Sequence, residues 1–181
     1  MSKSTDRIIA GSIQIFRDKG FNGASVNDIA SAVGLLKGSL YSHFASKEEI
    51  LLEVIKNVEQ HFFSSIEIES SQNFIHILEK TAEFFIQQES CLMANLLSES
   101  LPETPRQQLI GFFLTWKRLL KESLDAKIAG NVREKFAENV ISQFEGNVLM
   151  MKVTGSSEPV TDCLKKLTAE YQNLIQNAEG K

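Results

Sequence analysis

The sequence predicts an all-α protein of about nine helices, with an N-terminal three-helix domain, residues 1–46, and a larger helical domain, residues 47–181. Three observations support this fold class. Apolar residues recur three and four positions apart along the chain, as Ile9, Ile13 and Phe16 do. No stretch alternates apolar and polar residues for long enough to predict a strand. Residues that start and stop helices separate the apolar segments.

Local signals mark the ends of the predicted helices. Gly20 supplies a left-handed stop for the first helix. Ser25, with Asp28 three residues later, forms a capping box for the second. Thr104 followed by Pro105 is typical of the cap and first turn of a long helix. These signals place the helices at about residues 5–19, 26–32, 36–44, 47–65, 74–88, 92–101, 104–129, 132–153 and 159–178.

Composition limits the class of protein. The chain has 181 residues, and 43% of them are hydrophobic, which is enough for a core. We expect a cytoplasmic protein without a membrane segment, because no apolar run approaches the roughly 18 residues that cross a bilayer. Cys91 and Cys163 lie outside any metal-ligand spacing, so we expect no metal and no cofactor. Phosphate-binding loops and nucleophile motifs are also missing, which argues against an enzyme.

The net charge is unevenly distributed along the chain. It is −4 overall, but residues 1–50 contain six lysines and arginines against five acidic residues. The acidic excess therefore lies in the C-terminal part. This balance argues against a protein that coats nucleic acid without specificity, and it still permits a local basic surface near the N-terminus.

The third predicted helix has two chemically different faces. Leu36, Leu40 and Phe44 recur at intervals of four and form an apolar stripe that docks the helix on its neighbours. A tight turn at Gly34 joins it to the second helix, as in a helix-turn-helix. A small, hydrogen-bonding face can approach the floor of the DNA major groove. The residues away from the stripe have this character: Lys37, Gly38, Ser39, Tyr41, Ser42 and His43.

Two further residues favour the same interpretation. Ser25 begins the second helix and Lys47 begins the fourth, where free backbone N–H groups and the helix dipole favour a phosphate. A helix with one lysine and several serines is also typical of an ordinary solvated face. DNA binding is therefore predicted from the turn, the third helix and the two flanking sites together.

The segment Phe16–Leu51, FRDKGFNGASVNDIASAVGLLKGSLYSHFASKEEIL, resembles the DNA-binding signature of the tetracycline-repressor-like (TetR) family of transcriptional regulators. The resemblance implies that the eight polar and glycine residues named above contact an operator in double-stranded DNA, and that the protein is a homodimer. It also implies that the remaining helices bind a small-molecule effector, which releases a repressor from a palindromic operator. Leu36 departs from the family, which commonly has a small helix-capping hydroxyl at this position.

The last two helices carry apolar stripes that are suited to a dimer interface. A two-fold operator needs two recognition helices about 34 Å apart, so a dimer has to hold them. The same stripes are also compatible with internal packing in a monomer. The predicted interface residues recur three and four positions apart on these two helices: Ala137, Ile141, Phe144, Val148, Met151, Val160, Leu164, Leu167, Tyr171 and Leu174.

Aromatic residues of the larger domain are predicted to line an effector pocket. The chain contains 12 phenylalanines, and many of these residues also fit a plain core. Trp116, Gln143 and Asn147 would add polar groups to an apolar cavity, so we expect an apolar or aromatic effector. The predicted lining is Phe62, Phe84, Met93, Leu96, Phe112, Trp116, Gln143, Phe144 and Asn147.

Two alternative functions remain open at this point. Cys91 precedes a predicted helix, where the helix dipole lowers the pKa of a thiol, and this position is compatible with a redox- or electrophile-sensing regulator. The N-terminal helices are also compatible with a protein-interaction module that does not bind specific DNA sequences.

Overall fold

The computed structural model describes residues 3–66 and 73–179, and all regular structure in these ranges is helical. The predicted all-α fold class is thereby confirmed. No helix in the described ranges combines the length and the hydropathy that a membrane crossing requires. The helices are α1 (Lys3–Gly23), α2 (Val26–Ala32), α3 (Lys37–Tyr41), α4 (Lys47–Ile66), α5 (Phe74–Gln88), α6 (Leu92–Leu97), α7 (Glu103–Ser123), α8 (Gly130–Thr154) and α9 (Glu158–Glu179).

Helix α7 ends at Ser123, whereas the sequence predicts a helix that reaches about Ala129. The Asp125 carboxylate accepts a hydrogen bond from the N–H of Lys127 at 2.8 Å, and the Asp125 carbonyl accepts one from the N–H of Ile128 at 3.0 Å. Local turns of this kind compete with helical hydrogen bonds. Helices α3 and α6 are also shorter than predicted, with five and six residues.

The chain forms two compact units, each made of two chain segments. The first unit consists of Met1–His61 and Leu92–Phe112, and the second of Phe62–Cys91 and Phe113–Lys181. The first unit takes in α6 because α6 packs against α1. The predicted boundary after residue 46 does not coincide with the limits of these units, and it stays a prediction.

In the first unit, α1 and α2 pack closely together. Gly11 has no side chain, and the γ1 methyl of Val33 occupies the space where a Cβ at position 11 would lie. Ile9, Phe16 and Leu40 are almost completely buried. Because α2 also contacts α3, the short third helix is fixed to this apolar core.

In the second unit, α5 packs against α8 and α9. The ring of Phe74 lies 5.8 Å from that of Phe136 on α8 and 4.5 Å from that of Tyr171 on α9, between ring centroids. A second set of rings, the aromatic cluster, has neighbouring centroids 5.0 to 6.2 Å apart. The aromatic cluster consists of Phe62, Phe84, Phe85, Trp116 and Phe144.

Candidate nucleic-acid interface and sensor site

Helix α1 bends at Gly20, where the sequence predicts a left-handed stop. Gly20 has φ 65° and ψ −179°, a combination that is almost confined to glycine. After the bend, the Glu99 carboxylate accepts hydrogen bonds from the backbone N–H groups of Phe21 and Asn22, each at 3.0 Å. A Cβ at position 20 would overlap this carboxylate. Glu99 therefore fixes the chain that leads from α1 into α2.

The predicted capping box at the start of α2 is confirmed. The Ser25 hydroxyl accepts a hydrogen bond from the N–H of Asp28 at 3.1 Å, and the Asp28 carboxylate accepts one from the N–H of Ser25 at 2.8 Å. A hydrogen bond from Lys19, followed by those from Ser25, holds the pKa of Asp28 far below its ordinary value. A phosphate at this helix start would share these donors with Asp28, so the predicted phosphate contact at Ser25 stays a prediction.

The apolar stripe predicted for the third helix is partly wrong. Leu40 and Phe44 are buried, but Leu36 has 80% of its surface exposed. Helix α3 begins only at Lys37, and Leu36 precedes it as an N-cap in extended conformation, with φ −77° and ψ 149°. Its side chain therefore does not lie on the same helical face as Leu40 and Phe44. An aliphatic group also supplies no capping hydrogen bond. Leu40 and Phe44 therefore pack α3 against the core of the first unit, and Leu36 does not.

The face that lies opposite Leu40, on α3 and the turn that follows it, is exposed to solvent. No described atom lies within 4 Å of the position that a Cβ at Gly38 would take. The Ser42 hydroxyl donates a hydrogen bond to the Ser39 carbonyl at 2.7 Å, which leaves its oxygen able to accept another. The exposed residues are the six predicted for this face: Lys37, Gly38, Ser39, Tyr41, Ser42 and His43.

Lys47 opens α4, but its ammonium group contacts the protein itself. It donates hydrogen bonds to the carbonyl oxygens of Phe21 at 2.6 Å and Ala24 at 2.8 Å. It also lies 4.2 Å from the centroid of the Phe21 ring, which adds a cation–π contact. Lys47 thus holds the start of α4 against the segment between α1 and α2, and its predicted phosphate contact stays a prediction.

The residues predicted for the dimer interface lie mostly inside the single chain. Buried residues are already in contact with their own chain, so they form the core where α5, α8 and α9 meet rather than a free surface. Three of the set, Ile141, Leu164 and Leu174, are half-buried. The seven buried members are Ala137, Phe144, Val148, Met151, Val160, Leu167 and Tyr171.

Helix α8 carries a second apolar stripe that the sequence analysis did not assign to an interface. Leu149, Met150 and Val153 are 62%, 46% and 70% exposed. A Cβ at Gly146, one turn earlier, would meet no described atom within 4 Å. The buried stripe of α8 has the stronger helical periodicity and concealed this exposed one.

The predicted pocket residues fall in both units. Met93, Leu96 and Phe112 are buried in the first unit. Asn147 is engaged within the second unit, where its amide donates to the Gln143 carbonyl at 2.8 Å and its side chain hydrogen-bonds the Cys163 thiol. The rest of the predicted lining also lies in the second unit: Phe62, Phe84, Trp116, Gln143 and Phe144.

Glu145 is a half-buried acid of the second unit that sequence reasoning missed. It follows Phe144 of the aromatic cluster, and its Oε1 has no hydrogen-bond partner among the described residues. Burial raises the pKa of Glu145 to about 7, although a hydrogen bond with the Cys91 side chain acts in the opposite direction. In the sequence, nothing distinguishes this residue from a glutamate on the outer side of a helix.

Comparison with known proteins identifies relatives along the chain. Residues 8–54 match the family described as bacterial regulatory proteins, tetR family. The HTH-type transcriptional repressor DhaR of Mycobacterium sp. (strain GP1) is 26% identical over 185 residues, which cover 92% of this chain and 90% of that protein. The biofilm operon icaADBC HTH-type negative transcriptional regulator IcaR of Staphylococcus epidermidis is 39% identical over 57 residues, 32% of this chain and 31% of that protein.

A TetR transcriptional regulator from Legionella pneumophila shares the fold. Its structure matches with a TM-score of 0.82 at 22% identity, over 94% of this chain and 98% of that one. The segment that matches the family contains α2, α3 and the turn between them, where the exposed polar face lies. Residues 8–54 therefore carry a TetR-family helix-turn-helix, and the chain is a DNA-binding transcriptional regulator.

Proposed function

We propose that the protein is a dimeric repressor that reads a palindromic operator with the exposed face of α3. The observation that carries this proposal is the division of α3: Leu40 is buried while Lys37, Gly38 and Ser39 are exposed. A helix seated in this way can enter a major groove with its small polar side forward. Relatives named as a repressor and a negative regulator support repression as the sense of control.

The substitution Gly38→Ala tests this face. The added methyl group would meet no described atom within 4 Å, and alanine favours a helix over glycine by up to about 1 kcal/mol, so the free protein should keep or gain stability. In the groove the same methyl group would separate the helix from the base edges. We expect affinity for an operator, isolated first by selection from random DNA, to fall at least about tenfold.

Gly111→Ala is the matched control. Gly111 lies inside α7, and a Cβ there would also meet no described atom within 4 Å. This variant should gain comparable stability and keep full operator affinity. A Gly38→Ala protein that binds the operator as tightly as wild type would show that another surface meets DNA. Steep weakening with salt separates operator binding from an apolar protein contact.

The exposed stripe of α8 supports the proposed homodimer. Leu149, Met150 and Val153 place three large apolar side chains on one part of a long helix, and a second copy of the chain can cover them. The double substitution Leu149→Lys and Val153→Lys should give a monomer in sedimentation and weaken operator binding strongly. Leu114→Lys, at an exposed position on α7, controls for added surface charge. If the double variant still sediments with the mass of a dimer, this interface is wrong.

We further propose that the second unit binds an apolar or aromatic effector at the aromatic cluster. The rings form an apolar environment, and Oε1 of Glu145 is a buried oxygen without a hydrogen-bond partner among the described residues. Trp116 is the one tryptophan of the chain, so quenching of its fluorescence reports directly on the cluster. A panel of hydrophobic aromatic compounds should contain members that quench Trp116, raise the melting temperature and release the operator. A panel without such members would contradict this part of the proposal.

The thiol-sensor alternative receives less support. Cys91 is buried, and its side chain hydrogen-bonds the acid Glu145. A reactive thiol needs access to solvent, and a neighbouring carboxyl group does not stabilise the thiolate. We therefore expect operator binding to survive treatment with an alkylating agent. Loss of binding that Cys91→Ser prevents would favour the thiol sensor instead.

A further inference from the structure

In the first unit, exposed apolar surface is concentrated at the recognition helix. Among its described residues, the large hydrophobic side chains that are exposed are Leu36, at 80%, and Tyr41, at 46%. Tyr41 ends α3, and Leu36 immediately precedes its first residue, Lys37. The remaining exposed large hydrophobic residues lie in the second unit. The apolar exposure of the first unit therefore coincides with the surface that is proposed to meet DNA.

Leu36 has no structural task within the chain that explains its side chain. It is not part of the core, and a leucine at the N-cap contributes no capping hydrogen bond. A serine or threonine here would stabilise α3 by capping, so leucine is the less favourable choice for the fold alone. Its position next to Lys37 is the informative feature, because the N-terminal residues of a recognition helix contact base edges.

Major-groove chemistry limits what an aliphatic side chain can recognise. Guanine, adenine and cytosine present hydrogen-bond donors and acceptors there, whereas thymine adds an apolar 5-methyl group. We infer that Leu36 reads the 5-methyl group of a thymine in each operator half-site, an inference that rests on the proposed contact between α3 and DNA. Burying both apolar groups removes them from water and disfavours any base without the methyl group.

Replacement of thymine by deoxyuridine tests this inference, because it removes only the methyl group. Each thymine of the selected operator is replaced in turn, in both half-sites, and the dissociation constant of the full-length protein is measured by fluorescence anisotropy at one salt concentration. At one position we expect wild type to bind about three- to tenfold more weakly per half-site. Leu36→Ala should bind the thymine operator more weakly by a similar factor and should not distinguish thymine from uracil at that position.

Two variants serve as controls. Leu114→Ala removes an exposed leucine on α7 and should keep the full preference for thymine. Leu36→Ser supplies a capping hydroxyl, so it should raise the melting temperature while losing the preference for thymine. Because Leu36 is 80% exposed, neither Leu36→Ala nor Leu36→Ser should impair folding.

The outcomes separate this inference from the proposed function. Wild type that binds every deoxyuridine operator as tightly as the thymine operator would overturn the role of Leu36 and leave operator binding intact. A Leu36→Ala protein that keeps the penalty for uracil would also overturn it. Failure to select any operator from random DNA would overturn both proposals.

Discussion

Polar side chains cap helices in both units, as Asn73 does for α5, but the second unit also holds buried polar atoms without a hydrogen-bond partner among the described residues. In the first unit, polar side chains bind the ends of helices: Ser25 and Asp28 cap α2, and Glu99 binds two backbone N–H groups after the bend in α1. In the second unit, Oγ1 of Thr81 and Oε1 of Glu145 are buried without a hydrogen-bond partner among the described residues. A satisfied polar group supports the fold, whereas a buried one without a partner opposes it.

This difference matches the tasks proposed for the units. A unit that presents a short helix to DNA needs one fixed geometry, which local hydrogen bonds at helix ends provide. A unit that binds an effector benefits from polar atoms that a ligand can satisfy, although these atoms lower its stability. Removal of a capping group in the first unit should therefore be destabilising, whereas removal of the charge of Glu145 in the second unit should be stabilising.

The largest expected effect is at Gly20. In Gly20→Ala, alanine would have to adopt a backbone conformation nearly confined to glycine, and its Cβ would overlap the Glu99 carboxylate. We expect a loss of roughly 3 kcal/mol in the free energy of unfolding, measured by denaturation with urea. Gly23→Ala is the control, because a Cβ there would lie 3.6 Å from the Cβ of Lys19, an ordinary contact. If the two variants were equally stable, the fold would not require glycine at position 20.

Glu145→Gln should raise the stability of the folded protein, by an amount that depends on pH. Burial raises the pKa of Glu145 from 4.5 to about 7 in the folded protein. The protonated acid is therefore favoured by folding, and its stabilising contribution is fully present below pH 4.5 and lost as the pH rises through 7. At pH 8 the glutamine variant should be more stable than wild type by on the order of 2 kcal/mol, and the difference should vanish near pH 4.

Glu122→Gln, at an exposed position on α7, is the control for loss of a charge in the second unit. Its effect on unfolding should be small at both pH values. A stability difference for Glu145→Gln that stays constant with pH would mean that the carboxyl is not held protonated by burial.

The smallest of the three effects is expected at Ser25. Ser25→Ala removes the hydroxyl that accepts from the N–H of Asp28, and loss of such a cap costs about 1 kcal/mol. Urea denaturation monitored by circular dichroism measures this loss. Ser31→Ala, on the exposed side of the same helix, should leave the midpoint almost unchanged. A similar effect of both substitutions would indicate that α2 does not depend on its cap.

Sequence predicted the parts of the molecule that depend on local chemistry. The capping box of Ser25 and Asp28 depends on residues close together in the chain, and it is confirmed. Gly20 has the predicted positive φ, but α1 bends there and continues to Gly23 instead of ending. The all-α fold class rests on helical periodicity, which tertiary contacts reinforce. The open face of α3 also follows from residue spacing around Leu40, because a buried residue fixes the direction of its neighbours.

The remaining features depend on which elements pack together, and the sequence carries no local sign of this. Glu99 lies 77 and 78 residues from its two backbone partners, so its capping role could not be predicted. The burial of Glu145 likewise arises from tertiary packing. Helix α8 has apolar residues on more than one side, and periodicity alone did not show that the Leu149–Val153 side is the exposed one.

The close approach of α1 and α2 has a consequence for genetics. Because Val33 fills the volume beside Gly11, any side chain at position 11 would push α2 outward and tilt α3 along with it. In the proposed complex, the angle at which α3 enters the major groove would therefore depend on a residue outside the proposed DNA-binding face. A screen for variants that fail to silence a reporter gene should recover changes at Gly11 alongside changes in α3.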